Sequence, residues 1–173
     1  CTLLAIEIQS PLTDLVTADA AISVQGVIDP GVTAVEVNGL SATLSGATFS
    51  LSVPLSPGTN MVVATASDAA GNSGTDSIVV TRDTTTPTIR ITSPTAGAQS
   101  TQDRITVTGL VNDLVDGGLE PAVDVNGVTA LVQHGTFMAT DVPLSRGVNS
   151  LVATATDSVG NESSDVSSVA VSY

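Results

Sequence analysis

The residues of this 173-residue chain that could do chemistry are almost all carboxylates. There are 17 Asp and Glu against four Arg, one His, one Cys and no Lys, for a formal charge of −13. Carboxylate oxygens can ligate a hard cation, and in pairs they can hydrolyse a glycosidic bond. The second use needs a concave cleft lined by aromatic rings. The only aromatic residues are Phe49, Phe137 and Tyr173, so nothing lines such a cleft. Without Lys there is neither a Schiff base nor a Lys–Asn isopeptide cross-link. One Cys allows no intrachain disulfide, and no Cys/His spacing suits zinc. Four scattered Arg cannot displace counterions from phosphate, which excludes nucleic acid, and an anionic membrane surface would repel the chain. No apolar run approaches the ~18 residues of a membrane span. The chain is therefore read as non-enzymatic, with no catalytic residue assigned, and a hard cation is the chemistry its residues favour.

The elements that would position those carboxylates are strands, and they come twice. IEIQSP (residues 6–11) matches IRITSP (89–94), and ISVQGVID (22–29) matches ITVTGLVN (105–112), both at an offset of 83. VEVNG (35–39) matches VDVNG (123–127) at an offset of 88. VPLSPGTN (53–60) matches VPLSRGVN (142–149), and ATASDAAGN (64–72) matches ATATDSVGN (153–161), both at 89. The second copy thus carries about five extra residues, around Asp116-Gly117-Gly118, between its second and third blocks. Within each copy apolar residues alternate with polar ones, and Ser and Thr make up about a quarter of the chain. Period-two alternation between turn signals predicts half-buried strands. Asn38-Gly39 and Asn126-Gly127 sit between two such runs and predict tight hairpins. In the first copy strands are expected near 5–9, 21–28, 34–38, 40–44, 48–53, 60–67 and 75–82. About seven short strands in about 85 residues predict a two-sheet sandwich. Phe49 and Phe137 occupy matching core positions, and His134 lies in a solvated turn.

The ordered set I-x-I-x-S-P, V-x-V-N-G, V-P-L-x-x-G-x-N and A-T-A-x-D-x-x-G-N resembles the bacterial Ig-like domains, in particular the branch similar to domain B of glucodextranase. Residues 83–87 (DTTTP) resemble the D-T-T-x-P joints of tandem Ig-like bacterial surface adhesins. The fold expected is all-β: two tandem Ig-like antiparallel β-sandwiches, residues 1–83 and 88–173, joined by a short linker at 84–87. The antibody-type Cys pair and core Trp are absent. The adhesin resemblance implies calcium at the joint, with Asp83 and Asp157 as ligands. In such a sandwich the loops 112–120 and 156–161 lie at the end where the linker arrives. Asp113, Asp116 and Asn161 are added to the set on that topology. Like charges crowded together need a counterion, and calcium accepts irregular oxygen shells. The alternative is that the Asp of D-x-x-G-N simply bonds its own loop amides, and that the insertion is only a longer turn. Asp29, Asp68 and Asn72 form half of a similar site at the other end, which a neighbouring subunit or domain would complete.

Charge divides almost evenly. Up to Pro87 there are eight acids and one Arg, net −7; beyond it nine acids and three Arg, net −6. Acidity is thus a property of the module. Cys1 has three readings: a simple chain end, which is preferred, a lipid anchor, and an intermolecular disulfide. The function expected is an extracellular, cell-surface structural module. It would be a rod-like part of an adhesin or a subunit of a surface fibre, stiffened by calcium and associating head-to-tail or with neighbouring Ig-like domains. Association could also proceed by strand donation from residues 2–5 or 169–173. The alternative function is an accessory, carbohydrate-associated module of a secreted enzyme.

Overall fold

The structure is a computed structural model and describes residues 3–113 and 119–171. Asp116, Cys1, Thr2, Ser172 and Tyr173, and with them the readings placed on those residues, lie outside the described residues. The chain divides into two compact units, Cys1–Thr84 and Thr85–Tyr173. Among the described residues all regular structure is β, and no helix is long and apolar enough to cross a membrane.

In the first unit the strands are β1 (Ile6–Ser10), β2 (Leu15–Thr17), β3 (Ala21–Ile28), β4 (Val32–Val37), β5 (Leu40–Ser41), β6 (Thr43–Ser45), β7 (Thr48–Pro54), β8 (Gly58–Asp68) and β9 (Ser73–Arg82). The second unit repeats them as β10 (Thr88–Ser93), β11 (Ala98–Ser100), β12 (Arg104–Asn112), β13 (Ala122–Val125), β14 (Val128–Thr129), β15 (Leu131–Gln133), β16 (Thr136–Pro143), β17 (Gly147–Thr156) and β18 (Glu162–Val171). Each unit has a four-stranded and a five-stranded sheet. Their orders are β1-β3-β7-β6 and β2-β9-β8-β4-β5 in the first, and β10-β12-β16-β15 and β11-β18-β17-β13-β14 in the second. This is the Ig-like sandwich.

Two departures from the sequence reading concern strands that change sheets. The first strand pairs antiparallel with β3, turns at the cis Ser10–Pro11 bond, and continues as β2, which pairs parallel with β9. The second unit does the same through the cis Ser93–Pro94 bond and β11. The strand expected at 40–44 is likewise two pieces, β5 on β4 and β6 on β7, which divide at Ala42. A third finding corrects strand donation from the C-terminus. Residues 169–171 pair with β17 on one side and β11 on the other. With both backbone edges occupied, they cannot add to another sheet without leaving their own.

Inward residues are mostly β-branched or Ala, with one aromatic ring per unit. Val24, Val35, Val37, Val62 and Val80 surround Phe49; Val107, Val123, Val125 and Leu151 surround Phe137. Phe49 lies directly across the ladder from Gly26, and Phe137 from Gly109. A methyl group on Gly26 would overlap the Phe49 ring and the Glu7 carbonyl oxygen; on Gly109 it would overlap Phe137 and the Arg90 carbonyl oxygen. The glycine is thus the space into which the ring fits. Gly26→Ala and Gly109→Ala should each destabilise their own unit by ~2 kcal/mol or more, since overpacking cannot relax into backbone. Urea melts of the intact chain should show the change in one unit's transition only.

Candidate functional site

The D-x-x-G-N segment closes the hairpin between the last two strands of each unit. In the first unit Asp68 Oδ1 accepts from the backbone N–H of Ala70 (2.9 Å) and of Asn72 (2.8 Å), while Oδ2 accepts from Asn72 Nδ2 (2.8 Å). In the second, Asp157 Oδ1 accepts from Val159 N (3.0 Å) and Asn161 N (2.7 Å), and Oδ2 from Asn161 Nδ2 (2.7 Å). Gly71 and Gly160 take the positive φ, +80° and +92°, that the turn requires. The Asp–Asn pair therefore builds the same loop in both copies. Asn72 and Asn161 clamp the carboxylate through their amide nitrogens.

Of the residues expected at the joint, Asp113 and Asp157 belong to the second unit, and their carboxylate oxygens lie within 4.8 Å of one another. Asp157 Oδ1 receives two N–H groups and Oδ2 only one, so Oδ2 keeps acceptor capacity toward a cation. Asp113 follows directly on β12, and the far end of its loop is tied down where Glu120 Oε1 accepts from Gly135 N (3.1 Å). Asp83 belongs to the first unit. It directly follows β9, and its N–H donates to the Thr17 carbonyl (2.8 Å). At the other predicted position Asp29 is used differently. Its Oδ2 accepts from Ala5 N (2.8 Å) and its N–H donates to the Ala5 carbonyl (3.1 Å). Asp29 thus pins the start of the first strand.

The remaining repeated motifs hold backbone. Asn38 of the first Asn-Gly hairpin donates from Nδ2 to the Met61 carbonyl (3.1 Å) and accepts at Oδ1 from Val63 N (2.8 Å). Asn126 does the same to Ser150 and Val152. Asn60 accepts from Ser56 N and donates to the Ser56 and Gly58 carbonyls; Asn149 repeats this on Ser145 and Gly147. Sequence reasoning missed one pair altogether. Asp76 on β9 accepts from Ile8 N, and Asp165 on β18 accepts from Ile91 N, each at 2.7 Å. The signal was available, because both copies place an Asp at the fourth position of a strand otherwise rich in Ser, Thr and aliphatic residues. His134 is exposed in its turn, and Phe49 and Phe137 are core.

The loop geometry has an electrostatic consequence at Asp68. Its pKa lies below the ordinary carboxylate value, mainly because the Asn72 side chain donates to it, with further help from the backbone N–H groups of the loop. A carboxyl with a depressed folded-state pKa stabilises the fold above its unfolded value. That contribution is lost as pH falls through the depressed value. Asn72→Ala should therefore move the Asp68 pKa up toward the unfolded value and remove its share of the acid-side loss of stability. NMR titration of the Asp68 carboxyl carbon reads the shift; an unchanged midpoint would contradict the clamp.

Comparison with known proteins bears on the module as a whole. Among solved structures, the fibronectin(III)-like modules of CbhA from Clostridium thermocellum are 16% identical, with 96% of this chain and 94% of that one covered and a TM-score of 0.48. A structure from a 1.5-MDa bacterial ice-binding adhesin is 19% identical, with coverage of 99% and 66% and a TM-score of 0.49. The titin Z1Z2 domains in complex with telethonin are 14% identical, with coverage of 99% and 98% and a TM-score of 0.37. No curated protein sequence matches the chain. A family model described as glucodextranase, domain B, matches residues 4–84 and again residues 87–173. The chain thus belongs to the glucodextranase domain B family and carries that Ig-like module twice in succession.

Proposed function

We propose that the chain is a non-enzymatic structural module of the bacterial cell surface, part of an adhesin or of a surface fibre, whose joint between units is stiffened by calcium. The observation that carries the calcium reading is the pair of carboxylates, Asp113 and Asp157, within 4.8 Å of each other at one end of the second unit. Two like charges so close repel, and a shared cation offsets that repulsion. Asp83, which chain connectivity keeps four residues from Pro87, would supply the third carboxylate. Calcium suits such a set because it takes six to eight oxygens in flexible geometry, and the balance would come from carbonyl groups and water. The structural reading rests on the motif residues. Asn38, Asn60, Asp68, Asp76 and their second-copy equivalents hold the chain's own backbone. That is the work of a scaffold.

Scanning calorimetry of the intact chain tests the calcium reading. At a calcium concentration about 100 times Kd, binding to the native state alone adds ~2.7 kcal/mol, and Tm should rise relative to chelator. Asp83→Ala and Asp113→Ala should each remove the calcium-dependent increment, while Asp68→Ala, in the other loop, should keep it. Equal Tm with calcium and with chelator would refute the reading.

A second reading, an accessory carbohydrate-associated module of a secreted enzyme, is favoured by the family's description alone. Sugar platforms are usually exposed aromatic rings, and both Phe residues are buried here. A glycan array should show no binding; a reproducible hit would favour this second reading.

A further inference from the structure

The two units provide an internal comparison, because matching register positions can be read on the same sheet face of each. On the outer face of β10-β12-β16-β15, Arg90 lies across from Leu110, and Met138 lies across from both Thr108 and Leu131. Leu110, Leu131 and Met138 are 51%, 56% and 42% exposed. Two shallow hollows of about 350 and 420 Å³ meet at Leu110, one running past Met138 and Leu131 and the other past Arg90. At the matching positions of the first unit, Glu7 lies across from Val27, and Ser50 lies across from both Gln25 and Thr43. The fold therefore does not require Leu131 and Met138 to be apolar or Arg90 to be basic.

Charge divides the two faces in the same way. Arg90 and Arg104, two of the four basic residues of the chain, point outward on the second unit's face. None of the outward positions of β10, β12, β15, or of β16 before its bulge at residues 140–141, is acidic. Asp141 at that bulge accepts from Arg104 Nη1 through its backbone carbonyl. The first unit presents Glu7 in place of Arg90 and Ala21 in place of Arg104, and Arg82 is its only basic residue. Of the charged residues, Arg90 lines one of the hollows, and Glu120 bonds Gly135 of the same lining. An apolar patch with an exposed Arg at its edge, on a chain of net −13, fits a partner surface that offers a carboxylate.

We infer that the outer face of β10-β12-β16-β15 docks on the first unit of a second copy of this chain, with Arg90 against Glu7. Such a contact joins different surfaces, so it need not close into a dimer and can propagate head-to-tail. It goes beyond the calcium reading and does not depend on it. Because its attraction is partly between exposed charges, it weakens as salt rises.

Sedimentation of the intact chain across a concentration series, in chelator, tests the contact. Wild type should form species that grow with concentration and shrink with salt. The double variant Leu131→Thr/Met138→Ser installs the first unit's own residues, and should weaken association about tenfold or more. Thermal melts should show its fold unchanged. Arg90→Glu should weaken association similarly, and Arg90→Glu with Glu7→Arg should restore it, since the charges then meet reversed. Because the series is run in chelator, its outcome is the same whether or not the calcium reading holds. A monomeric wild type, association that survives Arg90→Glu, or failure of the charge reversal to restore association would each overturn the inference.

Discussion

Everything in this fold depends on how a strand leaves one sheet for the other without abandoning a backbone donor. The first strand of each unit begins in the four-stranded sheet and ends in the five-stranded one. At the crossing the ladder to β3 or β12 shifts register, and the N–H of Ile8 or Ile91 needs an acceptor from elsewhere. A donor left unpaired away from water costs about 1–3 kcal/mol. Asp76 and Asp165 supply the acceptor from the opposite sheet, each at 2.7 Å. One carboxylate thereby satisfies the donor and links the two sheets at the point where they share a strand.

The same need explains much of the acidity. A carboxylate is an acceptor with two oxygens and no hydrogen of its own, so it suits places where several N–H groups converge. Among the described residues, at least eight of the chain's 17 acids, Asp29, Asp68, Asp76, Glu120, Asp124, Asp157, Glu162 and Asp165, accept hydrogen bonds from the chain's own donors. Lys could fill none of these roles, because an ammonium only donates. Net charge of either sign would keep the chain soluble; the negative sign follows in part from which backbone groups the sandwich leaves in need of partners. Amide side chains serve where both a donor and an acceptor are wanted, as at Asn38 and Asn60.

The repeat, the class of fold and the core were legible in the sequence because each rests on pattern. Alternation identified β3, β4 and β7 nearly to the residue, and the Asn-Gly pairs marked the hairpins they form, with Asn38 and Asn126 at φ +49° and +50°. The short strands β2, β5 and β6 were not separable, because three residues or fewer carry no period, and sheet membership is decided by partners distant in sequence. The candidate site was legible in part. Asp68 and Asp157 were chosen by motif, yet the motif is accounted for by a hairpin that both copies build. Asp76 and Asp165 went unnoticed because an Asp inside a strand reads as an outward polar residue; only the crossing of the first strand shows what it is for.

Two copies in one chain separate what the fold needs from what it does not. Residues that repeat with identical bonds, such as Asn60 with Asn149, Asp76 with Asp165 and Phe49 with Phe137, are explained by the sandwich itself. Residues that differ at matched positions have no such account. Asp113 stands where the first copy has Pro30, Arg90 where it has Glu7, and Leu131 and Met138 where it has Thr43 and Ser50. Both units fold around equivalent cores, so these differences are not demanded by packing. They gather at one end and on one face of the second unit. An Ig-like module that occurs twice can acquire specificity in one copy through such departures, and in this chain they lie at a pair of carboxylates within 4.8 Å and at an apolar face with Arg90 at its edge.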